Sequence, residues 1–329
     1  MKICFLDKTD FEYDSSSVYS SKLRGAECVL INLSKSLSEN GHDVTIINNC
    51  PANKTINNIR WINIKSSFHI ENYDLVISNG DCNLFNFAKS SNKILFSHSI
   101  QSIEKFIRKN QLLSYLKFKP KVCFISNYHQ KNRNKLLYLF GFIHLRWSVD
   151  EIFLNAKLLN FDKIDKNLSF FSSRENRNQN LLIDIWKELI ISKNSNYKLL
   201  INDDGRDNIN YNIINRNPSS QKDLLNDLLK SRMFLIPGHK SELFCLSAAE
   251  AKELSIPIVT LGIGCLSERV EHGVTGFIAK NRNEFRDYVI ELYENDNLWI
   301  EMRNNLIKKR SNNSWNKVSI DLVNKVFKS

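Results

Sequence analysis

Short apolar runs alternate with stretches of helical periodicity along most of the chain, which is the pattern of parallel βαβ units. Strands are predicted at 2–7, 44–48, 59–64, 75–78, 93–97, 122–126 and 143–147, with helical patterns between them at 25–40, 84–89, 103–116 and 129–137. In the first helix Cys28, Val29, Ile31, Leu33 and Leu37 recur at helical spacing, and Gly41 supplies the stop. A mixed, charged stretch at 148–166 breaks the rhythm, which then restarts. Strands follow at 168–172, 197–202, 233–237, 257–261 and 276–279, helices at 180–191, 221–229 and 243–254, and three more helices end the chain. The expected fold class is α/β, with two doubly wound domains at 1–150 and 151–329. Ligands of such sheets sit at the carboxyl ends of the strands, so the cleft between the two domains is the expected site.

Composition narrows the function. No stretch reaches the roughly 20 apolar residues of a membrane-spanning helix, and the apolar run at the N-terminus is too short for a signal peptide. The seven cysteines are an odd, dispersed set with no C-x-x-C spacing, which argues against zinc or a disulfide framework and for a reducing, cytoplasmic compartment. The formal net charge is +11, and between Lys105 and Arg146 ten basic residues occur with no acid among them. The predicted helix at 103–116 carries an apolar stripe (Ile103, Phe106, Ile107, Leu113) expected to face its own sheet. Its basic side would attract an anionic membrane or glycan. Nucleic acid is not expected as a partner, because no reading motif accompanies the charge. A dinucleotide-dependent oxidoreductase is not expected either, since no G-x-G-x-x-G follows a strand.

Glycine is scarce, ten in all, and five of them (Gly238, Gly262, Gly264, Gly273, Gly276) fall within 237–276. Backbone that must turn sharply or approach a ligand closely needs glycine, so this span is the first candidate site. A strand ends at Pro237 and a helix is expected to open near Leu243, with Ser241 as N-cap. The backbone N–H groups of Leu243, Phe244 and Cys245, with Leu246 completing the stretch, would then form an anion site suited to phosphate. Glu242 would stand at the mouth of that helix and Glu250 about 12 Å further along its axis, at ~1.5 Å per residue. Ala248, Ala249 and Ala251 surround Glu250 with small apolar side chains, as on a buried helix. Carboxylates so placed accept hydrogen bonds from sugar hydroxyls.

Glu242 and Glu250 together resemble the paired-glutamate motif of retaining GT-B glycosyltransferases of the family 4, or group 1, type. The stretches 257–264 and 268–278 are similar to that family's later elements. Leu23-Arg24-Gly25-Ala26-Glu27, with Leu37, Gly41, His42, Val44 and Thr45, resembles its first loop and helix. The resemblance implies a GT-B fold of two Rossmann-like domains facing a central cleft, acceptor-side first and nucleotide-sugar-binding second. It assigns Glu242 to the donor sugar, Glu250 to the nucleotide ribose and Gly25 to the donor diphosphate. Arg177, helped by Arg174 and Ser173, takes the place of the family's basic pair that stabilises the leaving nucleoside diphosphate. His98 corresponds to a histidine lining the sugar pocket.

Leu243 and Cys245 stand where the family commonly has proline and glycine, and Cys245 adds a side chain where the ligand would come close. The implied reaction moves a sugar from a nucleotide-diphosphate sugar to a glycan or lipid-linked acceptor hydroxyl, with retention, in cell-envelope glycan synthesis at the inner membrane surface. No carboxylate is placed as a nucleophile, so the resemblance points to front-side attack assisted by the leaving phosphate. No metal or other cofactor is expected, and the Asp203-Asp204 pair reads as a loop. Three rivals share the pattern: a non-hydrolysing nucleotide-sugar epimerase of the same architecture, a catalytically silent partner subunit, and a non-enzymatic protein that binds anionic polymers. In a thermal-shift panel of nucleotides and nucleotide sugars, one nucleoside diphosphate should raise the melting temperature of this chain. That shift should vanish in Glu250→Ala and in Arg177→Ala.

Overall fold

A computed structural model describes residues 1–19, 23–193, 196–202, 207–216, 220–310 and 313–327. The chain divides into two units, 1–148 with 313–329 and 149–312. The first unit opens with β1 (Lys2–Leu6), α1 (Gly25–Glu39), β2 (Asp43–Asn48), β3 (Lys54–Ile56), β4 (Ile59–Asn63), β5 (Leu75–Asn79) and β6 (Asn92–Phe96). It continues through α2 (Ile103–Arg108), α3 (Leu112–Phe118), β7 (Lys121–Phe124), α4 (Asn127–Lys131) and β8 (Phe142–His144). The strands form one sheet in the order β3-β4-β2-β1-β5-β6-β7-β8, parallel except where β3 meets β4. Strands covered on both faces read as unbroken apolar runs, and β1 is such a run, with Ile3, Cys4, Phe5 and Leu6 all buried. Gly41, at φ +80°, ends α1 as expected: His42 N–H bonds Leu37 C=O and Gly41 N–H bonds Ser38 C=O, the paired bonds of a Schellman stop.

The second unit contains α5 (Glu151–Leu154), β9 (Asp165–Phe171), α6 (Gln179–Lys193), β10 (Lys198–Asn202), β11 (Ile213–Arg216), α7 (Gln221–Lys230), β12 (Ser231–Leu235), α8 (Leu246–Glu253), β13 (Ile258–Thr260), β14 (Gly276–Ile278), α9 (Arg282–Glu294) and α10 (Asp296–Lys308). Its parallel sheet runs β11-β10-β9-β12-β13-β14. The chain leaves β9 toward β10 on one side and returns to β12 on the other, so the switch point lies between β9 and β12. Ligands of open parallel sheets bind outside the carboxyl ends of strands at such a point.

The structure differs from the sequence reading in four places. The last helix, α11 (Trp315–Phe327), belongs to the first unit and not to the second domain at 151–329. Trp315, Val318, Leu322 and Val326 are buried, and Ser36 Oγ meets Ser319 Oγ at 3.1 Å between α1 and α11. The predicted helix at 103–116 is two helices, broken where Asn110 takes φ +53°. Phe106 of α2 and Tyr115 of α3 are buried, whereas Ile107 of α2 and Leu113 of α3, expected inside, are 57% and 81% exposed. The 84–89 pattern is a 3₁₀ turn (Cys82–Phe87), and the 129–137 pattern splits into α4 and a second such turn. The short strands β3 and β11 went unpredicted, being edge strands with few buried apolar positions.

Candidate functional site

Two loops of the second unit converge at the switch point. One follows β9 and carries Ser173, Arg174 and Arg177; the other follows β12 and carries Gly238, His239 and Glu242. Ser173 Oγ donates to Glu242 Oε1 at 3.4 Å, and Arg177 Nε lies 3.4 Å from the same oxygen. Arg177 Nη1 donates to His239 Nδ1 at 2.9 Å, and the Ser241 N–H reaches the same nitrogen at 3.1 Å. Both contacts direct a donor at Nδ1, which therefore accepts. Asn178 Nδ2 donates to Gly238 C=O at 2.5 Å. Arg174, expected as a helper, is exposed, and its carbonyl accepts from the Arg177 N–H at 2.9 Å.

Glycine contacts hold the Glu242 loop. A Cβ on Gly264, at φ +77°, would stand 2.5 Å from His239 C=O and 2.8 Å from Glu242 C=O. Gly238, at φ +96°, is nearly as tight beside Ile263, since a Cβ there would be 2.7 Å from its carbonyl. Only glycine lets the 262–266 segment lie this close. The Cys265 N–H then bonds Glu242 C=O at 2.9 Å, and the Glu242 N–H bonds His239 C=O at 2.9 Å.

The helix start is corrected by three residues. The structure opens α8 at Leu246, with Cys245 as N-cap in the left-handed region (φ +56°, ψ +80°), so Ser241 is not the cap and Glu242 is not at the helix tip. Leu243, Phe244 and Cys245 are buried, and Arg269 fastens this stretch through Nε to Phe244 C=O (2.8 Å), its guanidinium 3.8 Å from the Phe244 ring. Of the four residues expected to offer N–H groups at a helix N-terminus, only Leu246 lies in the first turn, followed by Ser247, while the Ala248 N–H bonds the Cys245 sulfur. Helix geometry therefore no longer spaces the two glutamates. Cys245 occupies a conformation that glycine adopts without strain, at a cost for a side chain of roughly 1–2 kcal/mol. Burial pushes its thiol pKa well up, so the sulfur is not an ionised nucleophile.

Glu250 is the fifth residue of α8, 9% exposed among Ala248, Ala249 and Ala251. Burial, and secondarily the negative charge of Asp150, raises its pKa to about 8. Among the described residues no group hydrogen-bonds or ion-pairs with its carboxyl.

Two expected site residues lie on the first unit. His98 follows β6, its Nε2 bonded to Asn79 Oδ1 and its ring centroid 5.3 Å from that of Trp147. Burial lowers its pKa to about 4, so the ring is neutral at pH 7. Gly25 opens α1 and is exposed; the preceding Arg24 pairs with Asp10 at 3.1 Å. Sequence reasoning missed His239 and Asn178. His239 was findable as the single ring donor or acceptor between Gly238 and Glu242, in a stretch already singled out for its glycines. Asp203 and Asp204 lie outside the described residues. Among the described residues no three His, Cys, Asp or Glu side chains gather as a metal ligand set.

Residues 160–312 match the family model described as glycosyl transferases group 1. The fold is similar to that of WaaG, a glycosyltransferase involved in lipopolysaccharide biosynthesis, with TM-score 0.66, 11% identity, and 99% of this chain and 100% of that one covered. It is similar to Anabaena HepE in complex with UDP, with TM-score 0.68, 15% identity and both chains covered completely. Against S. aureus TarM, solved with UDP and α-GlcNAc-glycerol, the TM-score is 0.59 at 16% identity; the match covers 77% of this chain and spans about half, 55%, of that one. No curated protein matches the chain in sequence.

The pKa of Glu250 lies above the 4.5 of an ordinary glutamate, so between about pH 4.5 and 8 the folded state holds a proton that the unfolded state has lost. Stability should therefore be full below pH 4.5 and fall by up to ~5 kcal/mol as pH rises through 8. Denaturant unfolding at pH 5 and pH 8.5 should show this slope in the wild type and a flatter one in Glu250→Gln.

Proposed function

We propose that this chain, a glycosyltransferase of GT-B fold with a group 1 domain, moves a sugar from a nucleotide-diphosphate sugar to an acceptor hydroxyl with retention, as a family 4 enzyme of cell-envelope glycan synthesis. The observation that carries this reading is the buried, unpartnered Glu250 carboxyl in the same helix whose first turn offers free N–H groups. A ribose presents two adjacent hydroxyls that donate to such a carboxylate. The diphosphate then takes the N–H groups of Leu246 and Ser247, with the positive end of the α8 dipole behind them. Arg177, steered by Glu242 and His239, neutralises the charge that grows on the departing nucleoside diphosphate. Glu242 accepts from hydroxyls of the transferred sugar.

Bond breaking leaves an oxocarbenium-like sugar and a phosphate oxygen that gains charge. The acceptor hydroxyl attacks from the same face and gives its proton to that oxygen, so the anomeric configuration is kept without an enzyme nucleophile. Helix N–H groups and Arg177 supply the positive charge at the leaving group, and the proposal needs no metal. Gly25 and His98 are assigned to the diphosphate and the sugar on the family resemblance. Anabaena HepE has been solved with UDP-glucose, which makes a uridine diphosphate sugar the first donor to test.

The acceptor side of the proposal rests on the first unit's basic face. Ile107, Leu113 and Leu116 are exposed on α2 and α3 between Lys105, Arg108, Lys109 and Lys117. Apolar side chains ringed by cations suit the headgroup layer of an anionic bilayer, each nearby cation contributing ~1 kcal/mol. Among the described residues no helix is long and apolar enough to cross a membrane. We place the enzyme in the cytoplasm, peripheral at the inner membrane surface, acting on a glycan or lipid-linked acceptor; seven free thiols support a reducing compartment.

Incubated with its donor and an acceptor, the protein should yield a product whose anomeric coupling in NMR matches that of the donor. Glu242→Gln and Arg177→Ala should each lower turnover about 10²–10³-fold. Inverted product would overturn the retaining reading, and isomerised sugar nucleotide without acceptor would favour the epimerase. Sedimentation with phosphatidylglycerol vesicles should capture the wild type and lose most binding in Leu113→Asp, whereas phosphatidylcholine vesicles should capture neither.

A further inference from the structure

Three neighbouring strands of the first sheet, β1, β5 and β6, end in a row of polar side chains that the proposed reaction does not yet use. The registers Leu6↔Ser78 and Asn79↔Phe96 bring Asp7, Asn79 and His98 to the same carboxyl edge. Asp7 is 3% exposed, and Tyr13, 0% exposed, donates its hydroxyl to Asp7 Oδ2 at 2.5 Å. The Asn79 side chain and the Lys8 backbone N–H donate to the same carboxyl. Asn79 Oδ1 in turn meets His98 Nε2. Tyr13 is anchored at its own end: its N–H bonds Asn49 C=O at 3.1 Å, its C=O accepts from Asn48 Nδ2 at 3.0 Å, and its ring packs edge-on against Trp61.

We propose that Tyr13, Asp7 and Asn79 are positioning residues that fix the orientation and tautomer of His98, with the proton on Nε2 and the Nδ1 lone pair presented to a hydroxyl of the transferred sugar. This rests on the reading of His98 as a sugar-facing residue. The direction follows from donor and acceptor chemistry. The Asn79 side chain donates to the Asp7 carboxyl, which only its NH₂ can do, so its carbonyl oxygen is the atom turned toward His98. That oxygen can only accept, which forces the ring proton onto Nε2. His98 Nδ1 makes no hydrogen bond among the described residues, and Trp147 against the ring limits its tilt. Burial raises the Asp7 carboxyl above its ordinary range, against the hydrogen bonds from Tyr13, Asn79 and the Lys8 N–H that pull it down. No cation is among these partners, so the burial of this charge is costly, and a well-packed apolar residue would hold the fold at least as well.

The test uses the full chain labelled with ¹⁵N-histidine, the His98 signal being identified by its loss in His98→Gln. Long-range ¹H–¹⁵N spectra at neutral pH should show Nε2 protonated in the wild type. In Asn79→Leu both tautomers should appear, and in Tyr13→Phe the shift should be smaller but in the same direction. With donor and acceptor, Asn79→Leu should lower kcat ten- to hundredfold and leave KM for the nucleotide sugar within twofold. A wild-type proton on Nδ1, or an unchanged tautomer in Asn79→Leu, would overturn the proposal. So would a kcat that does not fall in Asn79→Leu. Should the spectra behave as stated in a protein that transfers no sugar, the hydrogen-bond chain is upheld and the transferase reading fails.

Discussion

A carboxylic acid sealed among alanines with no donor of its own is the constraint around which the second unit is arranged. Glu250 withdraws from water without a hydrogen bond or a cation in exchange among the described residues, and its raised pKa follows that burial. A chain under selection for stability alone would place an apolar residue there. In the proposed reading the acid is an acceptor awaiting two hydroxyls, and Leu246 and Ser247 at the start of the same helix would take the anion end of that ligand.

The rest of that unit holds the acid's partners in place. Glu242 lies in a loop pressed against 262–266 through Gly238 and Gly264, where any side chain would collide with backbone carbonyls. Its carboxylate orients Arg177, and Arg177 orients His239. The Arg177 charge is therefore held in place by the chain itself, which is the condition under which the proposed electrostatic stabilisation would be most effective. Cys245 shows the same logic from the other side. It keeps a left-handed backbone at some cost, because the turn into α8 is what presents Leu246 and Ser247.

Much of this was legible in the sequence because it is local. Buried parallel strands such as β1 and β12 are continuous apolar runs, the domain boundary near residue 150 is a break in rhythm, and the glycine cluster falls on the loops beside Glu242. What was missed depends on conformations or contacts that spacing does not encode. Nothing in the order of residues around Cys245 announces a left-handed cap, so the helix start was set three residues early. Asn110 breaks a helix whose periodicity runs straight through it, and the apolar stripe drawn across that break was wrong at Ile107 and Leu113. The packing of α11 on α1, and the row of Asp7, Asn79 and His98, join positions tens to hundreds of residues apart.

The central claim is that Glu250 receives hydroxyls from a nucleotide. Hydroxyl donors favour the ionised carboxylate, so binding at pH 7 must expel the proton that burial holds there. Isothermal titration with a nucleoside diphosphate, repeated in buffers of different ionisation enthalpy, reads that proton directly. The account predicts release of close to one proton per ligand in the wild type and almost none in Glu250→Gln. Binding without proton release, or the same release in Glu250→Gln, would contradict it.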